Sequence, residues 1–199
     1  MVRDADATRQ RLLTAARSEF AAYGQAGARV DRIALSSGSN KAQIYHYFGS
    51  KEALFDAVWE DFLVKVIGDL DLDVDDLAAY AVGLAGLYEE FPEFARLVAW
   101  QRLEGSGSEP MEISTRSIRR HVALIADGQA SGAVPTTFAP EVVFSLICHV
   151  ASLWSDMNPD VRSVVDPPER AERLSIIAQA AALLLRQPSA VRVNIGARE

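Results

Sequence analysis

The sequence predicts an all-α fold: a small three-helix head, a fourth helix as connector, and a larger helical body, about nine helices in all. Three observations predict it. Nearly every segment repeats its apolar residues at the 3–4-residue spacing of a buried helix face. No apolar/polar alternation is long enough, or has a pairing partner, to read as a strand. Glycine, proline and capping residues fall where helices start and stop.

The first helix carries Leu12, Leu13, Ala16, Phe20 and Tyr23 on one face. Asp6 or Thr8 is its expected cap and Gly24 its stop. Val30, Ile33 and Ala34 mark a short second helix, Gly38 supplies a turn, and Asn40 caps a third helix over about 41–48. Ser50 caps a fourth, running through Leu54, Phe55, Val58, Trp59 and Phe62 to about 67. The acidic stretch from Gly68 to Asp76 is a connector, placing a boundary between a head over 1–55 and a body over 68–199. In the body, helices are expected at about 76–91, 92–102, 114–131, 140–157 and 168–186. Pro92, Pro140 and Pro168 stand in first turns, where helices accept proline. Gly105 to Pro110 reads as a flexible loop and the tail after Pro188 as loose chain.

Composition excludes several classes. The 199 residues are 49% hydrophobic and 24% charged, as in a soluble globular protein. No apolar run approaches a membrane span, and the N-terminus lacks the apolar stretch of a signal peptide, so a cytoplasmic location is expected. The single Cys148 excludes an internal disulfide or a multi-cysteine zinc site; no metal or cofactor is implied. The net charge of −7 is unevenly spread. Residues 1–55 hold eight basic and five acidic side chains, +3, and the remainder carries −10. A basic head on an acidic body suits phosphate binding by the head alone.

The segment Gly24–Lys51 carries the chemistry. Two short helices about Gly38 form a helix-turn-helix, a unit that lays the outer face of its second helix in the DNA major groove. Ile33, Ala34 and Ile44 would bury against the first helix, leaving Lys41, Gln43 and His46 outward. Lysine and glutamine match guanine and adenine edges respectively. Tyr45 and Tyr47 can donate to phosphates, and Lys51 adds a charge at the start of the next helix. Core packing is the competing reading for the aromatics, and is the expected role of Phe48.

These residues resemble the tetracycline-repressor (TetR) family of bacterial transcriptional regulators. The resemblance rests on Gly24, Ile33-Ala34, Gly38, Tyr45-His46-Tyr47-Phe48 and Ser50-Lys51-Glu52-Ala53-Leu54, within roughly residues 8–60. It implies a DNA-contacting set of Arg29, Lys41, Ala42, Gln43, Tyr45, His46, Tyr47 and Lys51. Arg29 departs from the family pattern, standing where serine or threonine caps the second helix. Ser39 replaces an apolar turn residue.

The resemblance also implies a homodimer whose body binds a small molecule and resets the spacing of two heads on a palindromic operator. Its action would be to repress, with release by the effector. Residues 140–157 and the last helix are apolar on most sides, which independently suggests a second subunit against Val143, Ile147, Val150, Ile177, Ala181 and Leu184. Candidate residues for a largely apolar effector are Leu84, Tyr88, Phe91, Trp100, Met111, His121, Cys148 and Trp154. The partners expected are thus double-stranded DNA, a second copy of the chain and a small molecule, with no membrane. The alternative is a helical small-molecule carrier or an enzyme. No phosphate loop, metal-ligand cluster or nucleophile elbow supports an enzyme.

Overall fold

The structure is a computed structural model, and it describes residues 2–67, 70–104 and 111–186. Among these there are ten α-helices and no strand. They are α1 (Val2–Gly27), α2 (Val30–Ser36), α3 (Lys41–Phe48), α4 (Lys51–Phe62), α5 (Leu77–Glu90) and α6 (Pro92–Glu104), followed by α7 (Glu112–Ser131), α8 (Pro140–Ala151), α9 (Pro159–Arg162) and α10 (Arg170–Leu184). A π-helical turn, Leu63–Ile67, extends α4. The loop at 105–110 and the tail from 187 lie outside the described residues.

Several boundaries differ from expectation. Helix α1 begins before Asp6 and Thr8, so neither caps it. Helix α8 stops at Ala151 instead of 157, where Asp156 N–H bonds back to Ser152 O in a turn. Helix α9 is an addition, with Asn158 as cap and Pro159 in its first turn. It is a four-residue helix with no buried side chain, so no apolar period announced it.

Gly24 departs from helical geometry inside α1, at φ 70° and ψ 177°. The helix proper ends there, as a glycine stop predicts, and one further turn closes through Ala28 N–H to Gly24 O at 3.2 Å. Gly38 has φ 64° and follows α2 in a Schellman cap, with Ser39 N–H reaching Ala34 O at 2.9 Å and Gly38 N–H reaching Leu35 O at 3.2 Å.

The head packs around fully buried Leu12, Ala16, Phe20, Ile33, Ile44 and Leu54. Its core runs into the body through aromatic rings. Phe20 meets Phe55 edge-on at 5.1 Å, Phe55 stacks on Trp59, and Trp59 and Tyr88 both contact Phe94, at 6.0 and 5.4 Å. In the body α5 is central, packed by α6, α8 and α10, and α7 lies on α8. Each such aromatic pair contributes about 0.5–1.5 kcal/mol beyond area burial.

Candidate nucleic-acid interface

Helix α3 is held by a capping box. The Asn40 side chain accepts from Gln43 N–H at 2.9 Å, and Gln43 Oε1 accepts from Asn40 N–H at 3.2 Å. Ile44 is buried beneath it. Lys41, Ala42, Gln43, Tyr45 and His46 are exposed, so the outward face of α3 is the face the spacing indicated. Tyr47 is half-buried and packs edge-on to His46 at 5.4 Å. Phe48 lies against the core under the Arg9 guanidinium at 5.5 Å.

Three of the expected DNA-contacting side chains already have protein partners. Lys41 Nζ pairs with Asp31 at 2.7 Å, and this hydrogen bond and charge hold its pKa above the ordinary lysine value. The Gln43 carbonyl oxygen belongs to the capping box, leaving its amide NH2 outward as a donor. Half-buried Lys51 donates to the Ala28 and Ala26 carbonyls at 3.4 and 3.5 Å, bracing the end of α1.

Arg29 is the N-cap of α2 and its side chain makes no cap bond. The cap comes instead from α1. Glu19, 8% exposed, accepts from Arg29 N–H at 2.8 Å and from Arg32 Nε at 2.7 Å. In an ordinary capping box the third residue of the helix would serve the cap N–H; here that residue is Arg32, and it fixes a carboxylate from another helix. Arg32 also sits over the Tyr23 ring at 4.1 Å. The Arg29 side chain stays exposed at the start of α2, free of cap duty. Ser39 Oγ is buried without a hydrogen-bond partner, in keeping with a position that suits an apolar residue.

The head is gripped by α6 across the Gly24 break. Breaking the helix leaves Ala21 O and Ala22 O without their N–H partners four residues on, and Gln25 N–H and Ala26 N–H without acceptors. Arg96 Nε reaches Ala21 O at 2.8 Å and Trp100 Nε1 reaches the same oxygen at 3.2 Å. Glu104 accepts from Gln25 N–H at 2.7 Å and Ala26 N–H at 3.3 Å. Residues 96, 100 and 104 are one face of α6 at four-residue spacing. One turn earlier, Glu93 binds Ser18 at 2.7 Å and Arg17 at 2.9 Å. Trp100 therefore does not line a ligand cleft; its indole N–H is spent on α1.

The body has a cleft of about 510 Å³ between α5, α6, the turn after α8, and α10. Tyr88 and Trp154 line it, with Arg96, Arg162 and Arg173 and the carboxylates of Glu89 and Asp156. A smaller recess of about 100 Å³ beside it is lined by Tyr88, Cys148 and His149. Burial pushes the Cys148 thiol up to about 12, so it is an unreactive packing group at neutral pH. Leu84, Phe91, Met111 and His121 line neither space. Leu84 is core. Phe91 ends α5, and Met111 precedes α7. His121 is buried between Tyr80 and Phe144, both at 5.5 Å or less.

The expected dimer contacts also need correction. Val143, Ile147, Ile177 and Ala181 are at most 3% exposed in the single chain, because α8 and α10 turn these residues onto α5 and each other. Val150 and Leu184 are half-buried. The outward apolar residues are different ones: Val142 and Leu153, at 40% and 42% exposure, and Leu183 at 61%.

Residues 12–58 match the family model of bacterial regulatory proteins of the tetR family, and residues 76–182 match the tetracyclin repressor-like C-terminal domain. The chain is 34% identical over 166 residues to the HTH-type transcriptional repressor SCO4008 of Streptomyces coelicolor, covering 82% of this chain and 85% of that protein. To the HTH-type transcriptional repressor NicS of Pseudomonas putida it is 26% identical over 200 residues, covering 92% and 94%. Among solved structures, the putative transcriptional regulator SCO4942 from Streptomyces coelicolor superposes with a TM-score of 0.79 at 33% identity, over 91% of this chain and 99% of that one.

Proposed function

The chain belongs to the TetR family of bacterial transcriptional regulators, and from that membership we propose that it represses transcription as a homodimer on a palindromic operator and is released by a small molecule. A head over 1–55 reads the DNA, and a body over 68–199 senses and dimerises. The observation that carries this reading is the exposed face of α3, capped at Asn40 and seated on a second helix that Glu19 holds in place.

Within that face the roles divide. Gln43 NH2 and His46 are the readers of base edges, and Ala42 beside them is small enough to let the backbone approach. Tyr45, Tyr47 and Arg29 grip phosphates. Lys41 joins them by exchanging Asp31 for a phosphate, a trade of one charge-assisted bond for another. Lys51 acts chiefly by bracing the α1–α2 junction.

Two recognition helices about 34–36 Å apart would enter successive major grooves. The outward residues Val142 and Leu153 near α8 and Leu183 on α10 are the apolar surface on which a second subunit would pack, with half-buried Val150 and Leu184 at its margin. An effector in the cleft would act through α6, which both lines the cleft and grips α1. Coupling of about 1–3 kcal/mol would change DNA affinity about 5–150-fold. Among the described residues no helix is long and apolar enough to cross a membrane.

The test is selection of bound fragments from genomic DNA by the purified protein. Recovery of an inverted repeat with half-sites one helical turn apart is the expected result. Absence of sequence enrichment, or binding with no dependence on salt, would overturn the DNA-reading function.

A further inference from the structure

We propose that the effector is an organic anion with an apolar body, that Arg96 and Arg162 take its charged group, and that capture of Arg96 loosens the grip on α1. The proposal rests on the effector-regulated reading above and names the chemistry and the trigger.

The charges lining the cleft are unevenly matched. Glu89 is bound by Arg173 at 2.7 Å and by Arg170 at 3.1 Å, so one carboxylate already serves two guanidinium groups. Asp156 pairs with Arg102. Both acids are therefore occupied by cations of the protein itself. Arg96 and Arg162 also line the cleft, and among the described residues neither has a carboxylate partner. Each ends on a backbone carbonyl: Arg96 on Ala21 O at 2.8 Å, and Arg162 on Trp154 O at 2.7 Å. A neutral carbonyl satisfies a donor but leaves the guanidinium charge uncompensated, whereas a carboxylate or phosphate oxygen would form a stronger, forked bond.

Apart from Ser155 the rest of the lining is mainly apolar, with Tyr88, Pro92, Ala95, Trp154, Met157 and Pro167 offering rings and small faces. A ligand that matches both features carries one anionic group on a hydrocarbon or aromatic frame. The cleft volume of about 510 Å³ falls in the usual range for such molecules.

Arg96 is the point where this cleft meets the head. Arg96 lines the cleft, and its guanidinium supplies Ala21 O with a donor, with Nη2 3.5 Å from Ala22 O. An anion bonded to Arg96 competes directly with those carbonyls. Glu93, Trp100 and Glu104 would remain, so the head would be loosened at one of four holds, with no helix needing to unfold. A ligand bound only at Arg162 would fill the cleft without changing DNA affinity.

The experiment uses the full chain and three matched probes: 1-naphthoate, 1-naphthamide and 1-naphthylmethylammonium. Binding is read by Trp fluorescence and thermal shift. Its consequence is read as the ratio of Kd for the selected DNA with and without probe. Naphthoate is expected to bind at least tenfold more tightly than the amide and far more tightly than the ammonium, and to weaken DNA binding. Arg162→Gln and Arg96→Gln should each lower naphthoate affinity about tenfold to a hundredfold. In Arg96→Gln the Kd ratio should fall to near one even at saturating naphthoate, while in Arg162→Gln the ratio at saturation should persist. Preference for the ammonium, equal binding of all three, or no naphthoate binding would overturn the anion assignment. A Kd ratio in saturated Arg96→Gln equal to that of the parent would overturn the trigger. Failure to bind any DNA without probe would overturn the regulatory reading instead, leaving the probe-binding measurement to decide the ligand class by itself.

Discussion

Gly24→Ala tests the junction between head and body. The residue sits at φ 70° and ψ 177°, in a region populated almost only by glycine, where an alanine costs about 1–3 kcal/mol. Its methyl group would also lie 2.8 Å from Trp100 Cε3 and closer still to the Glu104 carboxylate. Glu104 would have to swing away and release Gln25 N–H, a charge-assisted bond of about 1.5–3 kcal/mol. Together these give a loss of about 3–6 kcal/mol. At ~2–4 °C per kcal/mol for a chain of this size, Tm should fall by roughly 6–24 °C. The assay is thermal unfolding of the parent, Gly24→Ala, Glu104→Ala and the double variant. Both single changes delete the same carboxylate–amide bond, so their effects should sum to more than the double loses, by about 1 kcal/mol or more. A Gly24→Ala protein within about 1 kcal/mol of the parent, or strict additivity, would refute the account of the junction.

Other consequences can be measured separately. Glu19→Ala removes the cap of α2 and strands Arg32, and should cost about 2–4 kcal/mol in urea unfolding, with Glu19→Gln milder; equal stability of all three proteins would contradict the shared cap. Tyr45→Phe should weaken binding to all DNA sequences alike and leave the salt slope unchanged, since a neutral hydroxyl releases no counterion, whereas Gln43→Ala should change base preference; indistinguishable effects would remove the division of roles. Val142→Glu with Leu183→Glu should give the 21.7 kDa chain mass by light scattering where the parent gives twice that; a parent already at the single mass would refute the dimer. His121 is held below the ordinary histidine value of about 6.5, first by burial and then by Arg120, so the unfolded chain takes up its proton at higher pH than the folded one. Stability should therefore fall as pH drops through about 6.5, and His121→Phe should flatten that fall; parallel curves would exclude His121 as its source.

Much of the head was legible because its signals are local. Glycine stops, the Asn40 cap and the buried Ile33, Ala34 and Ile44 all follow from neighbours within a few residues. What could not be read is tertiary. Glu19 capping a helix ten residues on, and Arg96, Trp100 and Glu104 meeting a break some 75–79 residues away, leave no trace in periodicity. Four-residue spacing placed those three on one face of α6 but named no partner for the face. The body shows the opposite error. Helices apolar nearly all round point Val143, Ile147, Ile177 and Ala181 toward a second subunit. Period alone does not tell which apolar side a helix keeps for its own core. Here α5 covers that side, and Leu183 and Val142 are left outside.

The grip of α6 on α1 has a further property. Every bond from Arg96, Trp100 and Glu104 ends on main chain: two carbonyls before Gly24 and two amides after it. None of the three contacts depends on a side chain of the segment it holds. At the break itself the coupling is indifferent to which side chains the segment carries, provided a glycine interrupts it there, while Glu93 one turn earlier still needs Ser18 and Arg17. DNA preference and effector preference can then drift separately, since α3 can be rewritten without disturbing the joint. A foreign head would fit this body only if it carried the same break, partners for Glu93 and the aromatic seam through Phe20 and Phe55.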